Sequence, residues 1–184
     1  ATTAKRNEPL SSLTHLVGAG LSVAGLVLMV VFAALHGRAA HVVGASIFGS
    51  SLLFLYVAST LFHFFAEGTR AKRVFQRLDH ALIFVLIAGT YTPIALALPQ
   101  RALGWTLFGI VWGLAAAGAA LKATGLGLKG WLSPLLYLGL GWAALAVIGP
   151  LAAWLPRAGL VWLVLGGVCY SIGAVFYALD SRVR

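Results

Sequence analysis

Long apolar runs alternate with short polar breaks along this chain. A helix needs about 20 apolar residues to cross a bilayer core, and six runs come close to or exceed that length: Leu13 to Leu35, Val42 to Ala66, Ala81 to Leu98, Gly104 to Leu121, Trp131 to Ala153 and Leu160 to Leu179. The breaks hold Gly, Pro and charge, as in Pro99-Gln100-Arg101, Lys122 to Gly130 and Pro156-Arg157. None has room for a water-soluble domain. The pattern predicts an all-α, polytopic membrane bundle of six transmembrane helices over residues 13–180, between polar segments 1–12 and 181–184. The first run is longer than a signal-peptide core and is followed by others of its kind, so it reads as a retained helix.

Composition agrees with that reading and closes off others. The 184 residues are 61% hydrophobic and 9% charged, with mean hydropathy +0.97, outside the range of a soluble domain. Thirteen Lys and Arg stand against four acids. Because they lie in the breaks rather than along one face, they argue for topology and against nucleic acid. Lys5, Arg6, Arg70, Lys72, Arg73, Arg77, Lys122, Lys129, Arg182 and Arg184 fall on one side and Arg38, Arg101 and Arg157 on the other. The excess predicts a cytoplasmic N-terminus, a cytoplasmic end to the sixth helix and residence in a bacterial inner membrane. Trp105, Trp154 and Trp162 then fall at the outer interface and Trp131 at the inner one. Cys169 lies in an apolar run and has no second cysteine to pair with.

Small residues four apart at Ala45 and Gly49, Gly113 and Ala117, and Gly139 and Ala143 predict close helix contacts, within the bundle in the first instance and between copies in a homo-oligomer as the alternative. Pro93 and Pro150 should bend or end their helices. Membrane lipids are the expected partners.

Polar chemistry gathers in one stretch, from Ser59 to Pro93. The predicted topology puts His15, Ser59, His63, Asp79 and His80 at one end of the first three helices. Ser59 and His63 share a helix face, and Asp79 lies about three turns from Thr90. An acid in a membrane segment costs a few kcal/mol and needs a partner, a metal or water. Several arrangements satisfy that need. His63 could bond Ser59, Asp79 could pair with Arg73, Arg77 or His80, and His36 and His41 read as solvated residues of the other end. Tyr170 and Tyr177 read as packing or interfacial groups.

Three ordered motifs carry a resemblance. Leu55-Tyr56-Val57-Ala58-Ser59-Thr60-Leu61-Phe62-His63, Leu78-Asp79-His80-Ala81 and Ala88-Gly89-Thr90-Tyr91-Thr92-Pro93 resemble successive signatures of the bacterial hemolysin III proteins, within the progestin and adipoQ receptor (PAQR) superfamily. Glu8-Pro9 with Thr14-His15 resembles that family's approach to its first helix, with Ser11 where an Asn is common, and Gly166 to Ala174 resembles its sixth helix. The resemblance implies a seven-helix fold with a zinc ion near the inner face. His63 would be one metal ligand, two histidines of a seventh helix would be the others, and Ser59 and Asp79 would lie close to the metal-bound water. That histidine pair is not present in this chain; His15 and His80 are the residues that could take its place.

The leading functional expectation is a zinc-dependent hydrolase of a lipid amide or ester at the inner leaflet, with Ser59 and Asp79 catalytic and His63 on the metal. The alternative is a non-enzymatic protein of membrane homeostasis or permeability. No polar stripe crosses the six runs to line a pore. A receptor role would rest on analogy of fold alone.

Overall fold

A computed structural model describes residues 7–125 and 132–183. Its helices are α1 (Pro9–His36), α2 (Ala39–Phe64), α3 (Arg70–Ala97), α4 (Arg101–Ala123), α5 (Leu132–Gly141), α6 (Ile148–Trp154) and α7 (Arg157–Val183), with a 3₁₀ segment, Trp142–Val147, joining α5 to α6. Among the described residues six spans are long and apolar enough to cross a membrane, the fifth being Leu132–Trp154. The six-helix expectation is met. Lys5, Arg6, Lys129, Trp131 and Arg184, used above for topology, lie outside the described residues, as does the side chain of Tyr177.

Local chemistry places the helix ends. Pro9 starts α1, where its missing N–H costs nothing. Thr69 caps α3, its hydroxyl accepting from the Lys72 N–H at 3.1 Å. That cap starts α3 at Arg70, three turns ahead of the apolar run at Ala81, so the polar break is itself helical. Gly68 and Gly125 take positive φ (78° and 74°) in the turns after α2 and α4, a conformation that glycine adopts without strain.

The chain packs outward from α3. Half of the most apolar stretch of α3 is buried, whereas none of the corresponding stretch of α7 is, so α3 is the axis and α7 a peripheral helix. Phe84, Ile87, Ala88, Tyr91 and Ala95 of α3, with Leu98 just after it, meet Leu107, Val111 and Ala115 of α4 and Tyr137 and Leu140 of α5. Without a hydrophobic drive between helices in lipid, such contacts depend on close fit and internal hydrogen bonds. Trp112 donates to the hydroxyl of fully buried Thr92 at 3.0 Å, and Thr92 donates to the Ala88 carbonyl at 2.9 Å.

Small residues set the closest approaches, but not always where their spacing predicts. A Cβ on Gly49 would stand 2.5 Å from Leu26 of α1, and one on Gly44 2.6 Å from the Pro93 Cα. Gly113 and Gly139 have nothing within 4 Å of that position, so neither glycine marks a close helix contact among the described residues, although Ala143 packs against the core. Pro93 sits inside α3 without ending it, its ring lying against the space left by Gly44. Pro150 occupies the first turn of α6, a tolerated position.

The break between α5 and α6 has a different cause. The Tyr91 hydroxyl donates to the Gly141 carbonyl at 2.6 Å and accepts from the Ala144 N–H at 2.8 Å. Those two groups would otherwise join α-helical bonds, and their diversion accompanies the tighter 3₁₀ winding of Trp142–Val147.

Candidate functional site

Where α1 and α3 begin and α2 ends, the sequence-predicted polar residues meet. Ser59 is buried on α2, one turn before half-buried His63. Asp79, in the third turn of α3, has Ser59 as its side-chain hydrogen-bond partner and lies close enough to His63 for their charges to interact. Neither Arg73, which donates to the Gly68 carbonyl at 3.0 Å, nor Arg77, packed against Gly125, is that partner. The hydroxyl and the imidazole thus compensate the membrane acid.

His63 is held from two sides. Its Nδ1 lies 2.6 Å from the Glu8 carboxylate, and the Glu8 N–H donates to the His63 carbonyl at 3.1 Å. A carboxylate beside Nδ1 favours the proton on that nitrogen, so that in the neutral ring the lone pair lies on Nε2. On the other side the His15 ring stacks parallel to that of His63, with centroids 5.1 Å apart and planes 1° from parallel, while Tyr56 lies 5.9 Å from His15. His80 turns elsewhere, edge-on to Phe62 at 6.5 Å and within electrostatic reach of Lys122, with its carbonyl accepting from Tyr137.

The sequence did not single out Glu8 and Lys72 for this cluster. Lys72 is 3% exposed, its ammonium 3.1 Å from Glu67, 3.7 Å from Glu8 and 4.4 Å from the centre of the Phe62 ring. It is a buried tie between the ends of α1, α2 and α3. The signal available in the sequence was an acid on each side of an otherwise basic stretch, and no spacing rule connects positions 8, 63 and 72.

Metal chemistry is tested by the donor set. Among the described residues no three His, Cys, Asp or Glu side chains converge as metal ligands. Stacked parallel imidazoles also lie in separate planes, whereas a bound metal lies in the plane of each ring that holds it. The described residues therefore do not form a zinc centre by themselves.

The face of α3 that carries Asp79 continues along the helix as the wall of a groove. Ile83, Leu86, Ile87, Thr90 and Ile94 follow Asp79 at helical spacing and line an apolar cavity of about 370 Å³, closed opposite by Trp142, Trp162 and Tyr170. The Tyr170 hydroxyl is buried there with no hydrogen-bond partner among the described residues.

Comparison with known proteins now places the chain. The family described as Haemolysin-III related matches residues 3–183. The chain belongs to the hemolysin III family. It is 41% identical over 172 residues to the Hemolysin-3 homolog of Bacillus subtilis (strain 168), covering 94% of this chain and 80% of that protein. It is 38% identical over 176 residues to Hemolysin-3 of Bacillus cereus, covering 96% of this chain and 80% of the relative. No solved structure matches. As in the family resemblance read from its motifs, the hemolysin III chain carries Ser59, His63 and Asp79 as one cluster, at one end of a multi-pass bundle.

Proposed function

We propose that this hemolysin III protein hydrolyses a lipid amide or ester, with Ser59 and Asp79 as catalytic residues and His63 beside them. The observation that supports the reading is that the lining of an apolar groove begins at Ile83, one helical turn beyond Asp79 on the same face of α3. A carbonyl near Asp79 would leave its acyl chain in that groove, and the unpartnered Tyr170 hydroxyl would meet a polar atom along it.

The chemistry follows from the residues present. Ionised Asp79 takes a proton from water as its oxygen bonds to the lipid carbonyl carbon. Once protonated, Asp79 no longer needs the Ser59 hydrogen, which turns to the developing oxyanion. The tetrahedral carbon then expels the amine or alcohol, and Asp79 returns the proton to it. Glu8 holds the His63 ring in place throughout.

Zinc belongs to the proposal through the family resemblance alone, which would put His63 on the metal. A metal would polarise the carbonyl and acidify water, but no step above is routed through it. The inner leaflet of a bacterial inner membrane, with the N-terminus cytoplasmic, is the proposed setting, from the charge asymmetry of the breaks. The names of the relatives also bring a permeabilising role to mind, yet no polar stripe in the spans supports one.

The test is release of fatty acid from a panel of lipid amides and esters in nanodiscs, measured by mass spectrometry. Wild type releases fatty acid, and Ser59→Ala lowers the rate about 100-fold, as loss of one oxyanion donor does. Equal rates in the two proteins would defeat the assignment.

A further inference from the structure

We propose that the opposite end of the bundle carries a binding site for the phosphate of an anionic lipid headgroup. The site is a cavity of about 560 Å³ where α2 and α4 begin, lined by Arg38, Ala39, Leu98, Pro99, Arg101 and Trp154. This proposal is independent of the hydrolase reading.

Charge is the first argument. All four acids of the chain, Glu8, Glu67, Asp79 and Asp180, belong to the breaks or helix turns at the other end. Arg38 and Arg101 thus share one cavity at an end that has no carboxylate, and among the described residues neither forms an ion pair. Two guanidiniums at a low-dielectric boundary repel one another unless an anion lies between them. Arginine presents a planar fork of donors that suits phosphate oxygens.

Backbone geometry adds donors at the same place. Arg38 and Gln100 precede the first turns of α2 and α4; the His41 side chain caps α2, and α4 has no side-chain cap. The Arg38 N–H is taken by His41 Nδ1 at 2.9 Å and the His41 N–H by the Arg38 carbonyl at 2.8 Å, which leaves the amides of Ala39 and Ala40 in α2 and those of Arg101 to Leu103 in α4 as the leading donors without a partner in the helix. Two long helices, of 26 and 23 residues, therefore turn their positive ends to the cavity that the two arginines line.

The occupant follows from the place. Trp154 sets the cavity at membrane-interface depth, the level of lipid phosphates, and Leu98 and Pro99 give it an apolar wall toward the hydrocarbon. A lipid headgroup brings the phosphate to that depth attached to its acyl chains, at high local concentration. A free phosphate has no such anchor.

Native mass spectrometry of the full chain in detergent tests the site, with phosphatidylglycerol as probe and diacylglycerol of the same acyl chains as the phosphate-free control. Wild type retains phosphatidylglycerol and not diacylglycerol. Arg38→Gln and Arg101→Gln each weaken retention about fivefold and the double variant about 25-fold, while Arg157→Gln, at the same end but outside the cavity lining, leaves it unchanged. Lysine at both positions keeps the charge and most of the binding, which separates a lost anion contact from a lost fold. Equal retention by the double glutamine variant, or equal binding of diacylglycerol, would overturn the proposal. Displacement of the lipid by millimolar inorganic phosphate would assign the pocket to a free anion and overturn the lipid assignment.

Discussion

At one end of the bundle Glu8 reaches His63 and Lys72, while at the other Arg38 and Arg101 face a shared cavity with no acid in reach. The first arrangement satisfies charge within the chain and draws the ends of α1, α2 and α3 together. The second leaves charge to be satisfied from outside, and there α2 and α3 approach through shape instead, at Gly44 and Pro93. The chain's own groups thus hold the polar cluster at one end, while at the other the proposed lipid contact would supply what they do not. The difference is a distribution of four carboxylates, and it can be attacked from either side.

The largest effect on stability belongs to the end held by shape. Gly44→Val puts side-chain carbon into the Pro93 backbone and should lower stability by about 3 kcal/mol, the upper part of the range for overpacking. Gly113→Ala, which meets nothing within 4 Å, should leave it unchanged or raise it by up to about 1 kcal/mol. Unfolding in detergent, followed by tryptophan fluorescence, measures both. Similar losses would mean that close approach does not organise this end.

Next comes the end held by charge. Lys72→Met removes the buried partner of Glu8 and should cost about 2 kcal/mol, less than for a fully buried pair because Glu8 is partly exposed and keeps His63. Glu67 is 61% exposed, so Glu67→Gln should cost under about 1 kcal/mol. Equal costs in the two variants would show that Lys72 depends on its exposed neighbour rather than on Glu8.

The smallest expected change comes from salt. Raising ionic strength from about 0.1 M to 1 M shortens the screening length from about 10 Å to 3 Å. It should weaken lipid retention at Arg38 and Arg101, both exposed, and leave the contribution of Lys72 to stability nearly untouched. Thermal unfolding of wild type and Lys72→Met at both salts, with lipid retention in parallel, makes the comparison.

Much of this architecture was legible in the sequence, because hydropathy over some 20 residues reports the solvent a helix meets. The six spans and the gathering of Ser59, His63 and Asp79 follow from it. What hydropathy missed, it missed for identifiable reasons. The charged start of α3 has the pattern of a break because a capped, polar helix end carries no apolar signal, yet Thr69 begins the helix at Arg70. The 3₁₀ turn at Trp142–Val147 depends on the hydroxyl of Tyr91, some 50 residues away. Glu8 with His63 and Lys72 is a contact between segments, and such pairings leave no period to detect. Small-residue spacing located Gly49 correctly but could not say that Gly113 and Gly139 face outward.

The central claim is that the Ser59, His63 and Asp79 cluster reacts with lipid. The most direct measurement is fatty-acid release by wild type and by Asp79→Asn, which keeps the size of the side chain and removes its capacity to accept a proton. The account predicts a rate at least 100-fold lower for Asp79→Asn with an unchanged unfolding midpoint. Release at the wild-type rate from Asp79→Asn, or none from wild type across the amide and ester panel, would contradict it.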